Sequence, residues 1–289
     1  WRDPEFRQQF PGRTEMIAYA ESHGIPIRQS LKKPYSMDRN LLHISFEAGM
    51  LEDTWYDGTT PADREMYKLS VSPEDAPDQA EYIQLLYEKG NVIGIQYDGL
   101  DVLLKELGVT PKGERDGYTL LSPLGVMYVL NALGGKHGIG RVDIVENRFV
   151  GMKSRGVYET PGGAILYKAI NVLETITLDK ESSHFKAQLA QKYADIVYNG
   201  QWFTPLREAL DAFADSLEKT VTGDVKLKLY KGNMINAGVT SPFTLYDEQT
   251  ASFGVDKDYD QSDATGFINL FGLSIKERAK LSKNWPEVK

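Results

Sequence analysis

The 289-residue chain contains no cysteine and only four histidines. Without cysteine there are no disulfides, no thiolate metal sites and no cysteine nucleophile. That is compatible with a reducing compartment, and the chain is expected in the cytoplasm. His23, His43, His137 and His184 never fall at metal-ligand spacing, so no metal site is expected. Positive charge is scarce, with 33 Lys and Arg against 41 Asp and Glu and a formal net charge of −8. Binding a phosphate backbone needs the opposite sign, which argues against a nucleic-acid partner. The chain holds no run of about 18 apolar residues and no basic-then-apolar leader, predicting neither a membrane span nor a signal peptide. No G-x-S-x-G elbow supports a hydrolytic triad. Apolar residues make up 41% and charged residues 26%, an ordinary globular composition with material for a core. The length suits two domains, or one large one, at about 100–200 residues each. The chain begins with Trp1, the pattern of a fragment or processed product.

The opening residues 1–10 are charged and aromatic. Residues 12–23 read as a helix with Met16, Ile17 and Ala20 on one side and Gly24 just past its end. An extended piece at 25–27 and a linker at 32–34 place a boundary near residue 30. Residues 41–46 alternate as a short strand, and 54–63 form a polar loop. Two apolar runs, 81–88 and 91–97, flank Lys89-Gly90 as a hairpin. Residues 124–133 predict an apolar helix stopped by Gly134-Gly135. In 142–149 a strand places Val142, Ile144, Glu146 and Arg148 on one face. Two helices follow, 162–177 and 183–198. The second carries a stripe of Phe185, Leu189, Tyr193, Ile196 and Val197, with Asp179 to cap it. A third helix takes Thr204 as N-cap and Pro205 at its first position, with Leu206, Leu210, Phe213 and Leu217 as its buried stripe. VKLKL (225–229) alternates and pairs through Lys231-Gly232-Asn233 with a second strand. Ser274 and Glu277 form a capping box opening a basic terminal helix. Strands and helices mix without strict βαβ alternation, so the fold class is α+β, a mixed sheet with packed helices.

Candidate chemistry concentrates around 134–163. Glu146 shares a face with Val142 and Ile144, the side expected to be buried, and a buried carboxylate demands a cationic or hydrogen-bonding partner. Either Arg141, Arg148 or Arg155 pairs with it, or the carboxylate waits for a cationic ligand group. GGKHGIGRV (134–142) is glycine-rich, yet it matches neither the P-loop nor the dinucleotide fingerprint. Lys153-Ser154-Arg155, between Gly151 and Gly156, suits an anion clamp or a solvated turn. Ser36 and Ser45, bracketing MDRNLLHI, read alone as turn or cap hydroxyls.

The segments YSMDRNLLHIS (35–45) and FEAGMLED (46–53) resemble a signature of the argininosuccinate synthase family. So does the long stretch GKHGIGRVDIVENRFVGMKSRGVYETPGGAILY (135–167). YNGQWFTP (198–205), LKLYKGN (227–233), SPFTLY (241–246) and DATGFIN (263–269) follow in the family's order and spacing. Departures are small: Tyr35 stands where the family often has Trp, and Phe46 where Tyr is common. The family's SGGxDTS pyrophosphate loop is not in this sequence.

The resemblance implies an ATP-dependent carbon–nitrogen ligase. The ureido oxygen of citrulline attacks the α-phosphate of ATP and expels pyrophosphate. The amine of aspartate then displaces AMP from the citrullyl-adenylate, giving argininosuccinate. By the same resemblance, residues 1–30 are the end of a nucleotide-binding domain, 31–265 a citrulline-binding synthetase domain, and 266–289 a carboxyl-terminal oligomerisation arm. Ser36, Ser45, Glu146 and Tyr158 match the citrulline-binding positions. Lys153 and Arg155 stand as candidate anion contacts, and no residue is assigned as catalytic. ATP and magnesium serve the whole enzyme and are expected to be bound mainly outside this chain, which alone is expected to be inactive. The expected assembly is a homotetramer. A stand-alone, non-catalytic small-molecule-binding or assembly module is the alternative.

Overall fold

Strict alternation of apolar and polar residues in a strand sends every second side chain to one side, as a sheet with one covered face requires. The computed structural model describes residues 2–26, 35–251 and 260–282 and shows two such sheets, both antiparallel. In chain order its elements are helices α1 (Pro4–Gln9) and α2 (Arg13–Ser22), strands β1 (Ser36–Arg39), β2 (Ile44–Glu47), β3 (Glu81–Glu88) and β4 (Asn91–Tyr97), helix α3 (Leu100–Leu107), strands β5 (Gly113–Arg115) and β6 (Tyr118–Leu120), and helix α4 (Pro123–Lys136). Then come β7 (Arg141–Asn147), β8 (Lys153–Glu159), helices α5 (Pro161–Thr177), α6 (Lys180–Tyr198) and α7 (Pro205–Glu218), strands β9 (Gly223–Tyr230) and β10 (Asn233–Thr240), and helices α8 (Asp263–Phe271) and α9 (Leu273–Ser282). This is the expected α+β architecture.

The chain divides into two compact units, Trp1–Thr244 and Leu245–Lys289. In the first unit a six-stranded sheet runs β10-β9-β3-β4-β6-β5. Its register pairs Ile83 with Leu227 and Leu85 with Val225, putting all four on the face that α4 and α5 cover. The opposite face carries Tyr82, Gln84, Lys226 and Lys228, with the Lys226 ammonium 5.5 Å from the Tyr82 ring centre. Both predicted hairpins form, turning at Lys89-Gly90 and Lys231-Gly232. Asp179 caps α6 by accepting from the Ser182 amide at 3.0 Å, and Thr204 caps α7 with Pro205 in its first turn.

Several sequence expectations need correction. Residues 4–9 are a helix, capped by Asp3 accepting from the Glu5 amide at 2.8 Å. Strand β2 starts at Ile44 rather than 41, because Asn40 folds 40–43 into a turn by accepting from the Leu42 and His43 amides. Helix α4 does not stop at Gly134-Gly135 but runs to Lys136. A Cβ on Gly135 would lie 2.0 Å from the Leu69 carbonyl oxygen, so glycine there serves close packing rather than termination. In α6 and α7 the expected stripes are only partly covered: Ile196 and Leu210 are buried and Leu189, Tyr193, Phe213 and Leu217 half-buried, whereas Phe185, Val197 and Leu206 are exposed. The inward positions admit Lys186, whose ammonium bonds both Glu174 and Glu218 and ties α5, α6 and α7 together. In the second unit α9 begins at Leu273, so Ser274 lies inside the helix and does not cap it. The expected linker at 32–34 and the end of the extended piece at 27 lie outside the described residues. The expected arm boundary at 265 falls within α8.

The smaller sheet of the first unit, ordered β1-β2-β8-β7, positions the site. One face carries Ile44, Phe46 and Val157 into an apolar cluster with Leu51, Met66 and Tyr67. Glu159 points the same way and is 0% exposed. Its carboxylate accepts from the amides of Lys68 at 2.7 Å, Leu69 at 3.1 Å and Ser70 at 2.9 Å, and from the Ser70 hydroxyl at 2.7 Å. Arg141 completes the clamp, donating from Nε to Ser70 Oγ at 2.9 Å and from a terminal nitrogen to the Ser70 carbonyl at 2.8 Å. Replacing Glu159 by Gln turns one acceptor into an NH₂ facing amide donors. Glu159→Gln is expected to cost about 2–4 kcal/mol of stability in urea denaturation. A loss below about 0.5 kcal/mol, the range of ordinary surface substitutions, contradicts the clamp.

Candidate functional site

Residues directly opposite in an antiparallel pair share a face, and residues two apart along a strand do too. Ser45 lies opposite Asp38 on β1 and Tyr158 on β8, and Tyr158 lies opposite Val142 on β7. Two residues along, Glu47 lies opposite Ser36 and Gly156, and Gly156 opposite Ile144. One step further Ser154 faces Glu146. Ser36, Ser45, Glu146 and Tyr158, the four residues picked from two separate stretches of sequence, therefore stand on one face of the four-stranded sheet.

That face is the open one. Val142 and Ile144 are 41% and 43% exposed, so the side expected to be buried is not covered by other described parts of this unit. The buried face is the other parity, with Glu159 as its carboxylate. None of the three arginines considered for Glu146 reaches it. Arg141 serves the Glu159 clamp and stacks 3.5 Å over Tyr67, Arg148 pairs with Glu47 at 3.0 Å, and Arg155 pairs with Asp143 at 2.7 Å. Among the described residues Glu146 forms no ion pair. Its neighbour is neutral: the Tyr158 phenol stands close enough to the Glu146 carboxylate for that charge to raise its pKa. Partial burial, followed by the influence of the neighbouring Glu146 carboxylate and the charge of Glu47, pushes the Tyr158 phenol up to about 12. Tyr158 is thus a standing donor at any physiological pH. The His43 ring meets it edge-on, 5.7 Å between centres.

The serines occupy the β1–β2 side. Ser45 Oγ lies 3.5 Å from the Asp38 carbonyl, a long contact that leaves its hydroxyl able to turn to a ligand. Ser36 accepts from the Arg13 guanidinium of α2. Sequence reasoning missed Arg13. It also missed Glu47, which stands between Ser36 and Gly156 in the register; the signal for it was the hairpin pairing of β1 with β2. At this end of the sheet Arg13, Ser36, Glu47, Arg148, Lys153 and Ser154 are among the residues lining a polar hollow of about 330 Å³.

Lys153 and Arg155 belong to the opposite parity of β8, yet both line the same hollow as Ser36. Lys153 bonds the Asn147 side chain at 2.8 Å. Arg155 is spent on Asp143 and on the carbonyls of Asp53 and Tyr56, at 2.6 and 2.9 Å. Its hydrogen bond to Asp143 raises its pKa further. Phe46, the departure from the family pattern, also faces the apolar cluster and touches Tyr67 edge-on at 6.0 Å. A phenol missing there is missing from the core side, not from the open face.

Two serine hydroxyls, a phenol and a carboxylate that forms no ion pair among the described residues thus share one open sheet face. Residues 35–278 match the family model described as arginosuccinate synthase C-terminal domain, and the chain belongs to that family. It is 52% identical over 271 residues to the argininosuccinate synthase of Desulfitobacterium hafniense, covering 94% of this chain and 61% of that protein. The argininosuccinate synthases of Desulforamulus reducens and Clostridium perfringens are each 50% identical, over 98% of this chain and 63% of their own length. The chain thus spans about three-fifths of the length of these relatives.

The state of the Tyr158 phenol can be read directly. With ¹³C-labelled tyrosine and Tyr158→Phe for assignment, its NMR signal is expected to stay in the protonated position to about pH 11. Glu146→Gln is expected to bring its ionisation down toward the ordinary tyrosine range. Titration near pH 10 in the unsubstituted chain contradicts the closeness of Tyr158 to Glu146.

Proposed function

We propose that this chain is the citrulline-binding part of an argininosuccinate synthase, the ligase that joins citrulline to aspartate at the expense of ATP, with release of AMP and pyrophosphate. The observation that carries this reading is the convergence of Ser36, Ser45, Glu146 and Tyr158 on one open face, with Glu146 in no ion pair among the described residues. Citrulline offers an ammonium, a carboxylate and a neutral ureido group. Glu146 meets the ammonium, while the two serine hydroxyls and the Tyr158 phenol serve the polar remainder. In this reading the protein contributes orientation rather than acid–base chemistry. ATP supplies the leaving group, and holding the reactants in attack geometry is worth about 7–11 kcal/mol.

ATP and magnesium supply the activation of the ureido oxygen when bound. Among the described residues no three His, Asp or Glu side chains gather where a metal ion fits, and no residue of this chain is assigned to hold either group. The partners proposed are citrulline, with aspartate and ATP in the whole enzyme, in the cytoplasm. No described helix is long and apolar enough to cross a membrane. Assembly into a homotetramer is supported by the second unit, where Phe267, Leu270, Phe271 and Ile275 of α8 and α9 are all exposed. Apolar helix faces of that kind need a partner surface.

Glu146→Gln removes the charge at nearly constant volume. In calorimetric titration of the chain joined to the amino-terminal part of the Desulfitobacterium hafniense relative, it is expected to weaken citrulline binding about 10–100-fold. Unchanged affinity removes Glu146 from the site. The 289-residue chain by itself is expected to form no argininosuccinate from ATP, citrulline and aspartate; turnover by rigorously purified chain refutes that division of labour.

A further inference from the structure

Gly156 sits at the middle of the open face, between Glu47 on β2 and Ile144 on β7, with Tyr158 and Ser154 to either side along β8. It is buried although the face is open. The cover is the Tyr158 ring: a Cβ on Gly156 would lie 2.7 Å from both Cε2 and the hydroxyl oxygen of Tyr158, and 2.9 Å from Cζ. Those distances are shorter than any carbon contact between side chains tolerates. The backbone does not call for glycine, since Gly156 is not among the residues of positive φ and lies within a regular ladder. A glycine inside a strand ordinarily weakens it, and its use there marks close approach of another group. Here the approaching group is the ring of the phenol that stands close to Glu146.

We infer that Gly156 is a positioning residue of the amino-acid site: its bare Cα is the seat on which the Tyr158 ring lies flat, so that the phenol reaches and orients the Glu146 carboxylate toward a ligand ammonium. The inference rests on the reading of this face as the citrulline site. From its position two residues along β8, Tyr158 reaches the Glu146 side chain only by lying along the strand across residue 156. A methyl group at 156 lifts the ring, and His43, already against that ring, limits where it can go. The carboxylate then loses its neutral donor and its fixed direction, while the strand itself loses nothing. Gly156 therefore separates two effects that a merely structural residue would couple, ligand recognition and fold stability.

The test uses the chain joined to the amino-terminal part of the Desulfitobacterium hafniense relative, with KM for citrulline, kcat and melting temperature read together. Gly156→Ala is expected to raise KM about tenfold or more with kcat within about threefold. The melting temperature is expected to be unchanged or higher, because alanine is the better strand residue. In a Tyr158→Phe background the same change is expected to alter KM by less than about twofold, since the hydroxyl it misplaces is already gone. An unchanged KM in Gly156→Ala, or an equal rise in both backgrounds, overturns the inference. Glu146→Gln distinguishes the two ways of failing. If it raises KM while Gly156→Ala does not, the glycine has no positioning role and the site stands; if neither raises it, the site reading falls and the inference with it. Should the alanine variant not fold, Tyr158→Phe alone decides: a raised KM supports the role assigned to the hydroxyl, and an unchanged KM overturns it.

Discussion

A carboxylate sealed from water, Glu159, is held by three backbone amides and a hydroxyl of residues 68–70, and this contact fixes which way every other residue of β8 points. Strand side chains alternate, so a slip of one residue would exchange the two faces of the sheet. With Glu159 and Val157 held below, Tyr158, Gly156 and Ser154 must stand above. The neighbouring strands follow by register, bringing Ser45 and Ser36 in from one side and Glu146 from the other. A slipped β8 would bury a phenol in the apolar cluster and strand Glu159 away from its donors. The donors cannot move to accommodate such a slip, because Arg141 ties the Ser70 carbonyl and hydroxyl to β7. The site is thus specified from the buried side.

How much of this could be read from sequence depends on how local the signal is. The hairpins at 89–90 and 231–232, the caps at Asp179 and Thr204, and the α+β class rest on turn and cap chemistry within a few residues, and all are realised. Strand β1 was not legible because SMDR offers one apolar residue and no alternation; it becomes a strand only by pairing with β2. Alternation in β7 showed correctly that Val142, Ile144 and Glu146 share a face but could not tell which face is covered. The apolar pair suggested the core, yet the core formed on the side of Phe46 and Val157. The principle that a buried carboxylate needs a partner held, but it applied to Glu159. In the same way, glycines at 134 and 135 punctuate a helix unless another backbone must come within a Cβ radius, and Leu69 does. Ser274 and Glu277 have capping-box spacing without a helix start between them.

The four site residues were named from a resemblance spread over 35–45 and 135–167, and no spacing rule brings those stretches together. The sheet does. What the resemblance did not supply is the electrostatic arrangement around them. Three arginines lie near Glu146 in sequence, and each is assigned elsewhere in the fold: Arg148 to Glu47, Arg155 to Asp143 and two carbonyls, Arg141 to the Glu159 clamp.

This allotment has a chemical consequence for recognition. A guanidinium on Glu146 would orient the carboxylate but also cancel the charge that an ammonium ligand needs to find. A phenol beside it leaves the full negative charge in place, and the raised Tyr158 ionisation keeps that neighbour neutral. A neutral group beside a charged one is the arrangement suited to a ligand that brings the opposite charge itself. The serine hydroxyls at the other side of the face stand in a different setting, among paired charges: Ser36 accepts from the Arg13 guanidinium, and Arg148 neutralises Glu47 beside it.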